Sequence, residues 1–243
     1  GGAERTFERA RCAFYLHAVA ELAEADRVLD LGPQDFLSVN PNTGAAPVFR
    51  TRRDAEIATA IYKRQPVLVD RSSETKTIPP KKVWPVRYLR MFDMTNDSGL
   101  FKRRDELEKE GWYPVEGNHW KKGEAEVVPL YVGRMVHNYD HRSASVEVNA
   151  ENLHNPASSD GLGAAIKADP SAYPVPQFWV AASSVPEAER RSWAIGFRDI
   201  ARGTDARSMI ASAVPSVAAG NTLPLIYPDE AGSRQYDSWA PLL

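Results

Sequence analysis

The sequence has a single cysteine, Cys12, among its 243 residues. One cysteine excludes a disulfide within the chain and a zinc site built from several cysteines, and it fits a reducing compartment. The sequence also lacks any apolar run near the ~18–20 residues that cross a bilayer, and it does not open with a signal peptide. We therefore expect a cytoplasmic protein with no membrane partner.

The chain has no large excess of charge of either sign. Its 30 lysines and arginines and 32 aspartates and glutamates give a formal net charge of −2, which excludes nucleic-acid binding through bulk positive charge alone. The basic residues are nevertheless clustered, so a basic face on a nearly neutral protein is compatible with the composition. Residues 75–92 contain no acid, and they carry Lys76, Lys81, Lys82, Arg87 and Arg90.

Signatures of several common enzyme classes are missing as well. There is no phosphate-binding P-loop, no Gly-x-Ser-x-Gly nucleophile elbow, and no Gly-x-Gly-x-x-Gly motif behind a strand. The glycine pair within residues 160–163 lies in a long polar stretch and is interpreted as a loop. No residue is indicated as a nucleophile.

One group of residues has the spacing of a metal site. His137 and His141 are four residues apart, and Asp140 between them offers an oxygen ligand. The segment does not have a helical pattern, and the other histidines considered, His119 and His154, are distant in sequence. A metal-dependent hydrolase that uses His137, Asp140 and His141 is therefore an alternative, and histidines that form hydrogen bonds or contact phosphates are favoured.

The pattern of turns, caps and apolar residues predicts an α+β fold with a mixed or antiparallel sheet and short flanking helices. Residues 40–44 indicate a turn. Thr51 and Asp54 form a capping-box pattern at the start of one helix, and Ser98 is predicted to cap a second helix over residues 99–110. Strands are predicted at residues 67–69, 84–91, 127–132, 143–148, 177–185, 193–197, 208–214 and 222–227. The aromatic residues predicted in the core are Trp84, Trp179, Trp193 and Phe197.

Four segments carry a distinctive order of motifs. They are VNPNTGAAPVFRTRRDAEI at residues 39–57, continuing to 68; RMFDMTND at 90–97, at the end of 84–97; PLYVGRMVH at 129–137 with DHR at 140–142; and FRDIAR at 197–202 with DARSMIA at 205–211 and GNTLP at 220–224. In this order they resemble the target-recognition region of large single-chain adenine-N6 DNA methyltransferases. That family includes type IIG-like restriction-modification enzymes and the methyltransferases of BREX-type phage defence, which are bacterial.

The resemblance implies a DNA-recognition domain without catalytic activity of its own. In this family the catalytic half precedes the region, binds S-adenosylmethionine and carries an Asn/Asp-Pro-Pro-Tyr/Phe motif. The motif is missing here, because the Asn-Pro pairs at residues 40–41 and 155–156 lack the second proline and the aromatic residue. We therefore expect residues 1–38 to be a lead-in segment and residues 39–243 a target-recognition domain. No cofactor is expected in this fragment, and S-adenosylmethionine would be bound by the larger parent enzyme. Whether the parent also cleaves DNA is left open.

The partners that the resemblance implies are double-stranded DNA and the parent's methyltransferase domain. Arginine and lysine neutralise phosphates, and arginine also forms bidentate contacts with guanine. The predicted DNA-binding residues are Lys81, Lys82, Arg87, Arg90, Arg134, His137, Arg142, Arg198, Arg202 and Arg207. For the last three, salt bridges with Asp199 and Asp205 are the alternative interpretation. A protein-interaction domain remains a further alternative function.

Overall fold

Short strands and helices alternate along the chain in a computed structural model. The structure describes residues 8–84, 86–146, 159–186, 193–202, 205, 207, 209–215 and 217–228. The chain separates into two units. We call residues 1–85 the N-terminal unit and residues 86–243 the C-terminal unit. The N-terminal unit contains residues from both sides of the predicted boundary at residue 38, and the predicted division of roles stays a prediction.

The N-terminal unit is built from two small antiparallel strand pairs and two helices. Strand β1 pairs with β2, and β3 pairs with β4. The elements are β1 (Ala10–Cys12), β2 (Leu29–Leu31), α1 (Pro33–Val39), α2 (Arg52–Arg64), β3 (Val69–Asp70) and β4 (Lys81–Lys82), with a 3-10 helix at Val19–Ala23. Its buried apolar cluster consists of Leu29, Leu31 and Ala55, with half-buried side chains packed around them.

Helix α2 has the N-terminus that the sequence predicts. The Thr51 side chain accepts a hydrogen bond from the Asp54 amide, and the Asp54 carboxylate accepts one from the Thr51 amide. This capping box is therefore confirmed. The helix packs through the small side chain of Ala55, whereas Ile57 and Ile61 are 45% and 53% exposed. The largest apolar side chains of α2 thus face away from the core of their own unit.

The C-terminal unit contains two larger sheets. A six-stranded sheet has the order β6-β12-β9-β8-β7, with β15 added in parallel beside β9, and a four-stranded antiparallel sheet has the order β14-β13-β16-β5. The strands are β5 (Val86–Leu89), β6 (Phe101–Lys102), β7 (Tyr113–Pro114), β8 (Trp120–Lys122), β9 (Ala125–Tyr131), β10 (Ala144–Val146), β11 (Ser159–Gly161), β12 (Trp179–Ala181), β13 (Trp193–Phe197), β14 (Ala211–Pro215), β15 (Ala218–Ala219) and β16 (Leu225–Pro228).

In the described part of this unit, two short helices and four 3-10 turns connect these strands. The helices are α3 (Arg104–Lys109) and α4 (Ala164–Lys167), and the 3-10 turns are Ser98–Leu100, Glu116–Asn118, Gly133–Met135 and Ala182–Ser184. Strands β10 and β11 form a separate antiparallel pair. The mixed and antiparallel sheets with short helices confirm the predicted α+β class.

Alternation along the strands explains where the core lies. In β13 and β14 every second residue is buried, because successive side chains of a strand point to opposite faces. The inner faces contribute to a cluster that includes Tyr131, Met135, Val214, Leu223 and Leu225. A second cluster surrounds Phe92 and Val180, and a third surrounds an edge-to-face pair of tryptophans.

The predicted helix over residues 99–110 is wrong at its N-terminal half. Phe101 and Lys102 form β6, which pairs with β12, and the helix begins only at Arg104. Ser98 does not cap it, since the Glu106 carboxylate accepts a hydrogen bond from the Arg103 amide instead. The Phe101 ring packs against the rings of Phe92 and Phe178, and burying that ring in the sheet prevails over local helix propensity.

The predicted aromatic core is confirmed in part. Trp179 is buried, and Trp193 and Phe197 are half-buried in β13. Trp84 contradicts the prediction, because it is 41% exposed and its indole N–H donates a hydrogen bond to the Pro66 carbonyl. Trp84 lies in a turn-rich stretch of chain, where the indole forms this hydrogen bond and is not enclosed by apolar side chains. Of the helices in the described ranges, none combines the length and apolar content that a membrane crossing requires.

Candidate nucleic-acid interface

Four strand ends meet at one end of the four-stranded sheet. In the observed register Leu89 pairs with Leu225, Gly196 pairs with Leu225, and Phe197 pairs with Ala211. The chain therefore leaves β5 and β13 at the same end at which it enters β14 and β16. The segments that leave and enter here carry Arg90 after β5, and Arg198, Asp199, Arg202, Asp205 and Arg207 between β13 and β14.

The 3-10 turn at Gly133–Met135 is attached to the same end of the sheet. The Arg198 Nε donates hydrogen bonds to the Gly133 carbonyl at 3.1 Å and to the Val136 carbonyl at 2.8 Å. This attachment brings Arg134 and His137, both exposed, to the same place. We call the resulting surface the arginine rim and define it as Arg90, Arg134, His137, Arg198, Asp199, Arg202, Asp205 and Arg207.

Gly133 is required at its position by a close approach of two backbone segments. Its amide donates a hydrogen bond to the Thr222 hydroxyl at 3.2 Å. A Cβ atom added at Gly133 would lie 2.4 Å from the Thr222 carbonyl oxygen, which is closer than such atoms come in proteins. Glycine therefore allows the turn that carries Arg134 to pack directly on the chain before β16.

A second tight turn completes this edge of the rim. His137 and Asp140 exchange two backbone hydrogen bonds, of 2.8 and 3.0 Å, around Tyr139, whose φ is +61°. The Tyr139 amide donates to the Ala211 carbonyl, and the Ala211 amide donates to the Asn138 side chain. The turn is thus fixed to the start of β14, and it is not helical, as the sequence indicates.

Arg90 has two side-chain partners at the rim. Its Nε donates to the Tyr88 hydroxyl at 2.8 Å, and its Nη2 donates to the Asp199 carboxylate at 2.6 Å. The hydrogen bond with Tyr88 and the charge of Asp199 raise the pKa of Arg90, so the guanidinium stays charged. The Tyr88 ring in turn packs against the Phe197 ring, with 6.2 Å between centroids.

Two of the predicted DNA-binding arginines have donors committed to the fold. The Arg142 guanidinium donates to the carbonyls of Asp169 and Ala172 through Nη1, and to that of Lys167 through Nη2. Burial lowers the pKa of Arg198, whose Nε is committed to the turn described above. Both side chains therefore stabilise the fold through hydrogen bonds to backbone carbonyls.

The remaining predicted residues lie in different surroundings. Arg202 and Arg207 are exposed, and the Arg202 amide donates to the Asp205 carboxylate at 2.6 Å. Arg87 lies within β5, with its guanidinium 5.6 Å from the centre of the Tyr227 ring. Lys81 and Lys82 form β4 and belong to the N-terminal unit. The acid-free stretch is therefore divided between the two units.

The rim has an excess of positive charge. The five arginines and two aspartates of the rim leave three positive charges, and Asp93, which interacts electrostatically with Arg90, lies close by. Both aspartates are engaged at the rim itself, Asp199 by the Arg90 side chain and Asp205 by the Arg202 amide. The observed salt bridge of Asp199 therefore differs from the predicted one, because its partner is Arg90 from another segment. A local excess of arginine is the feature that attracts phosphates to a protein of low net charge.

The alternative metal site is not assembled among the described residues. The Asp140 carboxylate accepts a hydrogen bond from the Lys167 ammonium at 2.5 Å and another from the Arg142 amide at 2.9 Å. Burial alone would raise the pKa of Asp140, but these two bonds lower it overall. Within the described ranges, no three His, Cys, Asp or Glu side chains lie together as metal ligands. His154 lies outside those ranges.

The sequence does not indicate two features of the rim. The sequence predicts nearby arginines as the partners of Asp199, but Asp199 pairs with Arg90, which is 109 residues away. Thr222 contacts the Gly133 turn from 89 residues away. In the sequence these residues are indicated only by their membership of three separate motif segments. Their proximity in space depends on strand register, which the motifs do not specify.

Comparison of the chain with protein-family models, curated proteins and solved structures finds no match. The similarity of the four segments to a methyltransferase family therefore remains a resemblance. The geometry of the arginine rim is the independent basis on which a function can be proposed.

Proposed function

We propose that this chain is the DNA target-recognition domain of an adenine-N6 DNA methyltransferase of the type IIG-like or BREX-type class. One observation carries the proposal. Three motif segments that are separated in sequence, represented by Arg90, Arg134 and Arg198, meet at one end of one sheet. The resemblance selected these segments without reference to the fold, so their convergence on a basic surface supports a shared role in binding an anionic polymer.

The chemistry of the rim suits double-stranded DNA. The exposed guanidinium groups of Arg202 and Arg207 are suited to neutralising phosphates, and arginines held by the protein suit contacts with base edges. Polar side chains lie beside them on rigid turns, including Asn138 and Thr222. Binding of this kind releases counterions, and its affinity falls steeply with salt concentration.

In this proposal methyl transfer belongs to another part of the parent enzyme. The recognition domain positions that catalytic domain on a short DNA site, and the catalytic domain binds S-adenosylmethionine. The missing Asn/Asp-Pro-Pro-Tyr/Phe motif supports this division of labour. Double-stranded DNA and the methyltransferase domain are then the two partners of the chain, and this chain itself transfers no methyl group.

The test is a titration of fluorescently labelled duplex DNA with the full chain at increasing salt concentration. Replacement of three exposed rim arginines by alanine, at Arg134, Arg202 and Arg207, should weaken binding and reduce the slope of log affinity against log salt by about 2 to 3. Each lost phosphate contact accounts for about 0.9 of that slope.

A charge-matched variant serves as the control. It replaces three exposed arginines of the N-terminal unit, Arg53, Arg64 and Arg71, and should leave both affinity and slope nearly unchanged. Equal losses of affinity in the two triple variants would show that binding depends on positive charge in general and not on the rim. A wild-type chain that binds no duplex at low salt would contradict the proposal.

A further inference from the structure

The guanidinium of Arg90 is fixed along one of its edges. Nε and Nη2 lie on the same side of the planar group, and they are bound to the Tyr88 hydroxyl and the Asp199 carboxylate respectively. Nη1 and the second hydrogen of Nη2 form the other fork of the group. Among the described residues, Nη1 has no assigned partner.

The two residues that hold Arg90 are themselves held. The Tyr88 ring lies against the Phe197 ring in the neighbouring part of the sheet. The Asp199 amide donates a hydrogen bond of 3.1 Å to the Thr222 carbonyl, which fixes the backbone that presents the carboxylate. The Arg90 side chain is 49% exposed, and two of the three guanidinium nitrogens are restrained by these partners.

We infer that Arg90 is a guanine-reading residue of this surface and that its free fork contacts the O6 and N7 atoms of one guanine in the major groove. The inference rests on the proposed function. An arginine whose two outer donors point in parallel matches those two acceptors, and this is the commonest specific contact between proteins and DNA bases. The ordering of a long side chain has already occurred in the free protein, which favours a selective contact.

The neighbouring carboxylate is what distinguishes a base contact from a phosphate contact. Asp199 lies 2.6 Å from the Arg90 guanidinium and cancels its charge at longer range. A phosphate would be repelled by that carboxylate, whereas the neutral edge of a guanine would not. Among the described residues, the guanidinium groups of Arg202 and Arg207 form no ion pair with a carboxylate, and they are better suited to phosphates. Asp199 and Tyr88 are positioning residues in this inference.

The experiment selects duplexes from a randomised library with the full chain and sequences those retained. The wild type should enrich a motif that contains guanine. Arg90→Ala should lose the preference at one guanine only, with discrimination there falling by roughly 5- to 150-fold. Arg90→Lys should keep most of the affinity but also lose that preference, because a lysine has no planar fork. Asp199→Asn and Tyr88→Phe should relax the same position to a smaller extent.

A modified base provides the decisive control. Replacing the guanine at that position by 7-deazaguanine removes the N7 acceptor, so it should weaken binding by the wild type and leave binding by Arg90→Ala unchanged. Arg202→Ala should weaken binding to all sequences and keep the motif.

An unaltered motif in Arg90→Ala, with uniformly weaker binding, would overturn this inference and leave the proposed function standing. A wild-type chain that retains no duplex would overturn both. Thermal unfolding of each variant establishes that the altered selection reflects a folded protein.

Discussion

The N-terminal and C-terminal units differ in how they are stabilised. Among its described residues the N-terminal unit has only three buried apolar side chains in its cluster, and it leaves Ile57 and Ile61 of α2 exposed. The C-terminal unit buries continuous clusters between its sheets, and residues such as Leu223 and Val180 are fully buried. A densely packed unit holds side chains in fixed positions. The arginine rim is built on the unit that has this property.

The largest effect expected from this comparison is the loss of a fully buried side chain of the C-terminal unit. Leu223→Ala leaves a cavity between the sheets and should lower the free energy of unfolding by about 2–5 kcal/mol. The matched change in the N-terminal unit, Leu31→Ala, should cost less, because its half-buried neighbours can relax. Denaturant unfolding combined with hydrogen exchange resolves the two units. A larger loss for Leu31→Ala would reverse the comparison.

The next effect concerns the close approach at the rim. Gly133→Ala places a methyl group against the Thr222 carbonyl oxygen and should destabilise the C-terminal unit by about 1–3 kcal/mol. Gly99→Ala is a suitable control in the same unit, because a Cβ atom there meets no atom within 4 Å. Thermal unfolding measures both variants. Wild-type stability in Gly133→Ala would show that the two backbone segments separate easily.

A third prediction compares two arginines that bind backbone carbonyls, one in each unit. Arg142→Met removes three hydrogen bonds in a half-buried setting and should cost about 1–2 kcal/mol. Arg52→Met removes two bonds, to Ala25 and Val28, from an exposed side chain and should cost less. Urea unfolding measures the difference. If Arg142→Met weakens DNA binding without loss of stability, Arg142 contacts DNA directly.

A smaller effect follows from the half-buried imidazole of His141 in the C-terminal unit. Burial lowers the pKa of His141, and Arg142 adds to the lowering, from the ordinary value of 6.5. As the pH falls, His141 therefore takes up a proton in the unfolded chain before it does so in the folded chain. The contribution of the neutral His141 to stability is complete above about pH 6.5 and is lost below it.

The measurement is the midpoint of unfolding between pH 7.5 and pH 5, a window chosen to bracket the ordinary histidine pKa of about 6.5. The midpoint of the wild type should fall as the pH is lowered through this window. His141→Gln should reduce that fall, and His137→Gln, which alters an exposed side chain, should retain it. An identical decline in wild type and His141→Gln would assign the effect to other groups.

The smallest effect is expected on α2. Replacing Ile57 and Ile61 by serine should change the stability of the N-terminal unit by no more than about 0.5 kcal/mol per site, because both side chains are exposed. The same replacement at Val180 in the C-terminal unit should destabilise strongly, since that side chain is fully buried. Calorimetry measures both. A marked loss in the α2 variants would mean that these isoleucines pack against a surface within the chain.

Local chemistry made much of the fold predictable. The capping box at Thr51 is decided by neighbouring residues, and it appears as predicted. A continuous apolar run also indicates β9, and alternation along the chain indicates β13. The predicted helix over residues 99–110 is too long at its N-terminus. Phe101 pairs with Val180 instead, and that residue is far away in sequence.

The candidate site was predictable as a set of residues but not as an arrangement. Motif segments nominated Arg90, Arg134 and Arg198, and the fold brings these together. Arg142 was nominated by the same reasoning, although its guanidinium donates to three backbone carbonyls. Sequence does not distinguish an arginine that binds the chain itself from one that faces outward, because both follow turns rich in polar residues.

The frame of the rim is made largely of main-chain atoms. The Arg198 guanidinium binds two carbonyls, Gly133 packs against the carbonyl of Thr222, and Tyr139 hydrogen-bonds the backbone of Ala211. Every residue type supplies a backbone carbonyl and every type except proline an amide N–H, so the exposed positions between them can be exchanged without rebuilding the frame. A lineage that keeps Gly133 and Arg198 is therefore free to vary positions 134, 202 and 207 one at a time, and each exchange would alter what the surface contacts while the scaffold stays constant.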